Sequence, residues 1–437
     1  MDTINAKKPL GLWSLTALVS GIMIGSGIFL LPAQLAKLGT ISLLSWIITT
    51  LGAIFLGIIL AKMSLLVPKN GGPYAYSKAG LGDFIGFQTA YTHWIALWVS
   101  IIALVLAMIS YLAMFFPIFL KPVPIFIGSI CIIWLLMLFH TRGPKPIGAF
   151  QIITTILKII PILMVIGFGL MYFHPGYLSF DLLGHDDGYN YSMISSAAGV
   201  TLWSFIGMEA ATVPFEHIEN PRKNIPLATI LGILIASAIY ISSSIIIMGI
   251  IPIGELANTT TSPFIAVAEL IFGNLGKWIV ISGAIISCLG CINGLFFIQG
   301  QIAMAAADDG LFPSIFANRN KHNMPVAGLV ITAFIQTIIL FLIMYKDTGE
   351  QFGIIVAIAS LATLIPYLYS AAASLVICKQ MPGTNTKNII YIFIAFIASI
   401  YSFWVITILK NQVILHGSFL IFIGVILYAL LYEKKNA

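Results

Sequence analysis

The sequence predicts an all-α membrane protein of twelve transmembrane helices, and three observations carry that prediction. Of its 437 residues 59% are hydrophobic and 8% charged, with a mean hydropathy of +1.04, a balance outside the range of soluble domains. Apolar runs of about 20 residues, each enough to span a bilayer, recur along the whole chain. Two of those runs are interrupted at glycines in corresponding places, a mark of two related halves.

The expected spans are 10–36, 41–66, 83–116, 123–140, 147–173, 193–218, 226–251, 274–305, 325–345, 352–378, 388–410 and 413–432. The first is too long for a cleaved signal peptide and lacks a small-residue cleavage site before its polar break. The third is long enough to require tilt. Helices one to five (10–173) and six to ten (193–378) form two inverted halves in this reading, with helices eleven and twelve (388–432) left over. All lie in one transmembrane domain, 1–437, with no soluble domain appended.

Three loops carry turn and cap signals. Gly71-Gly72-Pro73-Tyr74-Ala75-Tyr76 follows helix two, and Asp308-Asp309-Gly310-Leu311-Phe312-Pro313 ends helix eight. Asn220 to Pro226 follows helix six, with Pro226 placed to start helix seven. Fifteen Lys and Arg fall on the side of Lys7, Arg142 and Arg222, against five on the side of Lys37 and Lys277. That bias puts both termini in the cytoplasm of an inner-membrane protein, and the acidic loop with Asp181, Asp186 and Asp187 outside. The basic residues are scattered among loops, so the net charge of +6 does not suggest nucleic acid. Cys131, Cys288, Cys291 and Cys378 all fall in spans and read as small packing residues. No cofactor or metal is expected, and no nucleophile–base pair suggests an enzyme.

The first interruption is Gly25-Ser26-Gly27, near the middle of helix one. Each glycine costs a helix interior about 1 kcal/mol. A helix opened there frees N–H groups that suit a carboxylate and carbonyls that suit an ammonium. Alone, the Gly21-x-x-x-Gly25 spacing favours mere helix packing. The second interruption changes the balance: Gly207 precedes Pro214 by seven residues, as Gly25 precedes Pro32. Paired breaks of this kind point to a transporter's binding site.

Three ionisable residues lie deep in apolar spans: His93, Lys158 and Glu209. A charge at mid-bilayer costs at least ~2.5 kcal/mol, so each should face a cavity or a partner. Glu209 sits in the second break and reads as a proton-linked carboxylate in preference to a purely structural one. Lys158 is equally a proton carrier or a fixed cation stapling helix five to helix one. His93, beside Trp94, reads by itself as a hydrogen-bonded core residue.

Taken together, the stretches Ser20–Leu35, Gly71–Tyr76, Thr201–Pro226, Ala305–Phe316 and Pro366–Tyr369 resemble the amino acid–polyamine–organocation (APC) superfamily, in particular the bacterial arginine/agmatine antiporter type. The resemblance runs over nearly the whole chain. It implies that Ser26 and the Gly27 N–H hold a substrate carboxylate. It likewise implies that carbonyls of Met23, Trp203 and Ile206 hold the amino group, with the Trp203 indole as a lid. Glu209, Tyr367 and His93, which stands where the antiporter usually has tyrosine, would form an inner gate.

Departures from that family shape the substrate expectation. Ile22 and Ile101 replace asparagines, Leu295 a guanidinium-stacking tryptophan, Ala359 a serine, Leu97 a cysteine and Leu104 a methionine, while Ala96 is kept. Every change removes a polar or π partner for a guanidinium, and a buried cation without partners is disfavoured. Lys158, absent from the antiporter, resembles proton-coupled amino acid transporters of the superfamily. The expectation is therefore proton-coupled uptake of neutral or aliphatic amino acids. The alternatives are exchange of a basic amino acid for its amine, and a sensor that binds without transport. The partners expected are a small amino acid, protons and the lipid bilayer; a homodimer is an assembly this reading allows. Ser26→Lys should abolish transport in vesicles while the protein still reaches the membrane; wild-type flux in that variant would refute the carboxylate assignment.

Overall fold

The computed structural model describes residues 9–178, 187–259, 261–346, 348–380, 386–409 and 411–436. Of the charges used to orient the chain, Lys7, Lys8, Asp181, Asp186 and Lys410 lie outside the described residues. Apart from an isolated bridge between Leu10 and Ile218, the described residues form helices and their connections.

In chain order the helices are α1 (Leu12–Met23), α2 (Leu31–Ala36), α3 (Leu44–Leu66), α4 (Pro73–Leu81), α5 (Asp83–Leu112), α6 (Pro122–His140), α7 (Pro144–Gly169) and α8 (Asp187–Leu202). There follow α9 (Pro221–Ile250), α10 (Ile253–Asn258), α11 (Pro263–Asp308), α12 (Val326–Ile343), α13 (Thr348–Lys379), α14 (Thr386–Thr407) and α15 (Asn411–Asn436). Ten helices among the described residues are long and apolar enough to cross a membrane. The other two expected spans, 10–36 and 193–218, are divided into short pieces, as the glycine interruptions require. The first becomes α1, a 3₁₀ turn at Gly27–Phe29, and α2. The second becomes α8 and three 3₁₀ turns between Trp203 and His217.

Glycine permits the second break in a specific way. Gly207 has φ +100°, a conformation that side-chain-bearing residues rarely adopt. A Cβ at Gly207 would come within 2.9 Å of the Cβ of Ile22 in α1. The two breaks therefore face one another at van der Waals contact. Around them α1 packs on α7, α9 and α11, and α5 packs on α11 and α13.

The end of the bundle near Leu10 is tied by main-chain bonds. Leu10 N–H donates to the His217 carbonyl at 3.1 Å, and Glu219 N–H donates to the Leu10 carbonyl at 2.9 Å. Gly71 N–H donates to the Val213 carbonyl at 2.9 Å, and Glu216 N–H to Asn70 Oδ1 at 2.9 Å. The Gly71–Tyr76 stretch is more than a turn: Gly72 at φ +52° and Pro73 at the first helical position start α4. Tyr74 donates its hydroxyl to Asp309 Oδ2 at 2.7 Å, and Lys78 Nζ lies 2.9 Å from the same oxygen. Burial alone would raise the Asp309 pKa. The Lys78 and Tyr74 hydrogen bonds and the Lys78 and Lys69 charges outweigh it and hold the carboxyl below its usual range.

Helix α9 starts earlier than Pro226. Asn220 at φ +43° turns the chain, Pro221 takes the first helical position, and Pro226 falls inside the helix. Asn224 Nδ2 secures that start by donating to the Glu219 carbonyl at 2.5 Å.

Gly207→Ala should cost about 1–3 kcal/mol through backbone strain and contact with Ile22, read as a lowered unfolding midpoint in detergent. An unchanged midpoint would show that the break tolerates a side chain.

Candidate functional site: a cavity between two helix breaks

Opening α1 strips its last carbonyls of helical partners, and other helices supply donors for five in a row. Lys158 Nζ, from α7, donates to the Gly21 carbonyl at 2.5 Å and the Ile24 carbonyl at 2.6 Å. Cys291 Sγ, from α11, donates to the Ile22 carbonyl at 3.0 Å. Ser287 Oγ reaches the Ile24 carbonyl at 2.9 Å and the Gly25 carbonyl at 3.1 Å. Tyr240, from α9, donates to the Met23 carbonyl, which also accepts Gly25 N–H at 2.9 Å. Both lone pairs of Met23 are thereby engaged.

The donors of the break are left differently. Phe29 and Leu30 N–H return to Ser26 and Gly27 carbonyls. Among the described residues, no acceptor is present for the N–H groups of Ser26, Gly27 and Ile28. Three free amides at the start of a helical turn form an anion-binding arrangement.

A cavity of ≈ 50 Å³ lies between the breaks. That is room for about three or four waters. Its wall includes, of the residues singled out in the sequence, Met23, Ser26, Gly27, Leu104, Trp203, Ile206 and Leu295. Trp203 packs over Gly27, its Cδ1 3.9 Å from where a Cβ would stand. Four expected residues are buried elsewhere: Ala96, Leu97 and Ile101 on α5, and Ala359 on α13. Helical geometry explains the first three. Ser100, Ala103 and Leu104 share the face toward the cavity; Ala96 and Leu97 lie a turn earlier, and Ile101 points to an adjacent face.

Ser100, Ser204, Tyr240 and Cys291 also line the wall and were not singled out as site residues by sequence. The Ser287–Cys291 stripe on one face of α11 was a visible signal for part of this set. Nothing local marked Tyr240, one tyrosine in a long apolar helix.

Glu209, His93 and Tyr367 come together as one hydrogen-bonded group, all fully buried. His93 Nε2 lies 2.9 Å from Glu209 Oε1, and Tyr367 donates its hydroxyl to Glu209 Oε2 at 2.5 Å. Gly207 N–H, from the break itself, donates to the Tyr367 hydroxyl at 3.3 Å. An ionised Glu209 only accepts, so Nε2 carries the proton toward it in that state. His93 Nδ1 has no hydrogen-bond partner among the described residues. This group ties the second break to α5 through His93 and to α13 through Tyr367.

Comparison with known proteins agrees with this architecture. An amino acid permease family model matches residues 10–431. The putrescine transporter PotE of Escherichia coli K12 is 32% identical over 430 residues, 98% of each chain. Its counterpart in Haemophilus influenzae is 31% identical over 97% of each chain. The cadaverine/lysine antiporter of E. coli K12 is 30% identical over 405 residues, 92% of this chain and 90% of the relative. With a fold of membrane-length helices broken at two facing points, these matches identify the chain as a multi-pass membrane transporter of the amino acid permease family, within the APC superfamily.

Proposed function

We propose that this protein is an inner-membrane secondary transporter that exchanges an amino acid for an amine by alternating access. The observation that carries the proposal is the pair of facing breaks, with free amides at Ser26, Gly27 and Ile28 on one side of the cavity and carbonyl ends on the other. Such main-chain poles suit the carboxylate and ammonium of an amino acid, and the carbonyl pole alone suits an amine. The names of the relatives, a putrescine transporter and a cadaverine/lysine antiporter, favour exchange over the neutral amino acid uptake expected from sequence.

In this reading residues 10–173 and 193–378 are the two inverted halves, and both termini are cytoplasmic. Ser26, Gly27, Met23, Trp203 and Ile206 hold the substrate head. Glu209, His93 and Tyr367 form the gate, and its proton occupancy follows opening and closing. Lys158 holds the Gly21 and Ile24 carbonyls by charge-assisted hydrogen bonds when protonated and more weakly when neutral.

One observation favours the second reading, proton-coupled uptake of neutral amino acids. Ile22, Leu104 and Leu295 line the cavity, and among the described residues no acidic or basic side chain does. A cationic side chain would find no ionic partner there.

Counterflow separates the two. Proteoliposomes loaded with putrescine or agmatine should accumulate labelled lysine or arginine, and those loaded with leucine should not. Leucine counterflow, or leucine uptake into empty vesicles driven by a proton gradient, would establish the second reading instead. In either mode Lys158→Ala should flatten the dependence of flux on pH. An unchanged pH profile would remove the lysine from the mechanism.

A further inference from the structure

The hydroxyl of Tyr240 lies where the two broken helices end. It donates to the Met23 carbonyl at the end of α1 and lies 3.1 Å from the Ser204 carbonyl just beyond α8. Both carbonyls belong to C-terminal helix ends, which carry the negative pole of the helix dipole. A phenol has one proton, so it satisfies one of the two acceptors fully at any moment. Two negative helix ends around a single neutral donor make an environment suited to a cation with several N–H groups.

The ring is fixed by its neighbours. It stacks on Trp46 at 5.0 Å between centroids with 13° between planes, and meets Phe205 edge-on at 6.1 Å. Trp46 is itself held by donating Nε1–H to Ser244 Oγ at 3.1 Å. Tyr240 thus presents a rigidly aimed hydroxyl to the cavity, whose wall it joins.

We propose that the Tyr240 hydroxyl is a built-in stand-in for the substrate's amino group. In the substrate-free carrier it ties the α1 end to the α8 end across the cavity. A primary ammonium brings three donors and a charge and displaces it from the Met23 carbonyl. Tyr240 is then a specificity-determining residue: a ligand must out-compete one hydrogen bond to enter, and a group without N–H donors fails to do so. The proposal rests on the reading above that the substrate carries an ammonium.

The test compares the full-length wild type with Tyr240→Phe in nanodiscs by calorimetry, with putrescine, lysine and leucine as probes. Phenylalanine keeps the stack on Trp46 and removes only the competitor. The dissociation constant for the bound probe should fall about fivefold, the worth of one neutral hydrogen bond. An unchanged or raised constant overturns the proposal. Replacing Tyr240 by 3,5-difluorotyrosine preserves ring shape and strengthens the donor, so binding should weaken; tighter or equal binding counts against the stand-in.

A readout that needs no substrate is the labelling of Cys291, on the cavity wall, by methyl methanethiosulfonate, followed by mass spectrometry. Without the tie, Cys291 in Tyr240→Phe should react faster than in the wild type, and equal rates overturn the proposal. If the wild type binds none of the three probes, the transport reading fails, while the Cys291 rates still decide whether the tie exists.

Discussion

Five consecutive main-chain carbonyls, Gly21 to Gly25, are the constraint around which the site is built. Each left its helical partner when α1 opened, and each is met by a side chain from α7, α9 or α11. An unpaired buried carbonyl in an apolar interior costs several kcal/mol. Lys158, Ser287 and Cys291 therefore stabilise the break, and the Met23 carbonyl that Tyr240 meets also keeps the Gly25 N–H. The lysine bridges two of these carbonyls, the tyrosine reaches both broken helices, and the serine and cysteine bind α11 to the break.

The same arrangement links the two breaks to the buried Glu209 group. Gly207 presses against Ile22 and donates its N–H to Tyr367, whose hydroxyl holds Glu209, which in turn holds His93. A shift of one break is felt by the other through direct contact, and by the Glu209 group through one hydrogen bond. Farther along, the segments after the second break are strapped to the start of α1 by the Leu10 bonds and to the Asn70–Gly71 turn. The Leu10 end of the first broken helix is thus joined directly to the segment after the second break.

Much of this was legible in the sequence, and the reason is chemical. Gly25-Ser26-Gly27 announces a helix interruption because glycine is costly inside helices, and Gly207 does so too and adopts the φ of +100° that glycine allows. His93, Lys158 and Glu209 stood out because ionisable groups in apolar spans need partners, and the structure gives Glu209 and His93 each other and Lys158 two carbonyls. Features that depend on three-dimensional approach were not legible. Tyr240 sits 217 residues from Met23 in the chain, with no local pattern to join them. The start of α9 at Pro221 depended on the left-handed turn at Asn220, which any prolyl rule applied to Pro226 misses. The cavity wall holds Met23, Ser26, Gly27, Trp203 and Ile206 at the breaks. Ala96, Leu97, Ile101 and Ala359 lie off that wall, at helix faces and depths this cavity does not reach.

The central claim is that the bare main chain of two opened helices grips the charged head of a small amine-bearing molecule. A cryo-electron microscopy structure with lysine bound tests it most directly. The account predicts the α-carboxylate on the amides of Ser26, Gly27 and Ile28, and the α-ammonium against the carbonyls that end α1 and α8. Lysine bound away from both breaks, or helices continuous through Ser26 and Gly207, would contradict it.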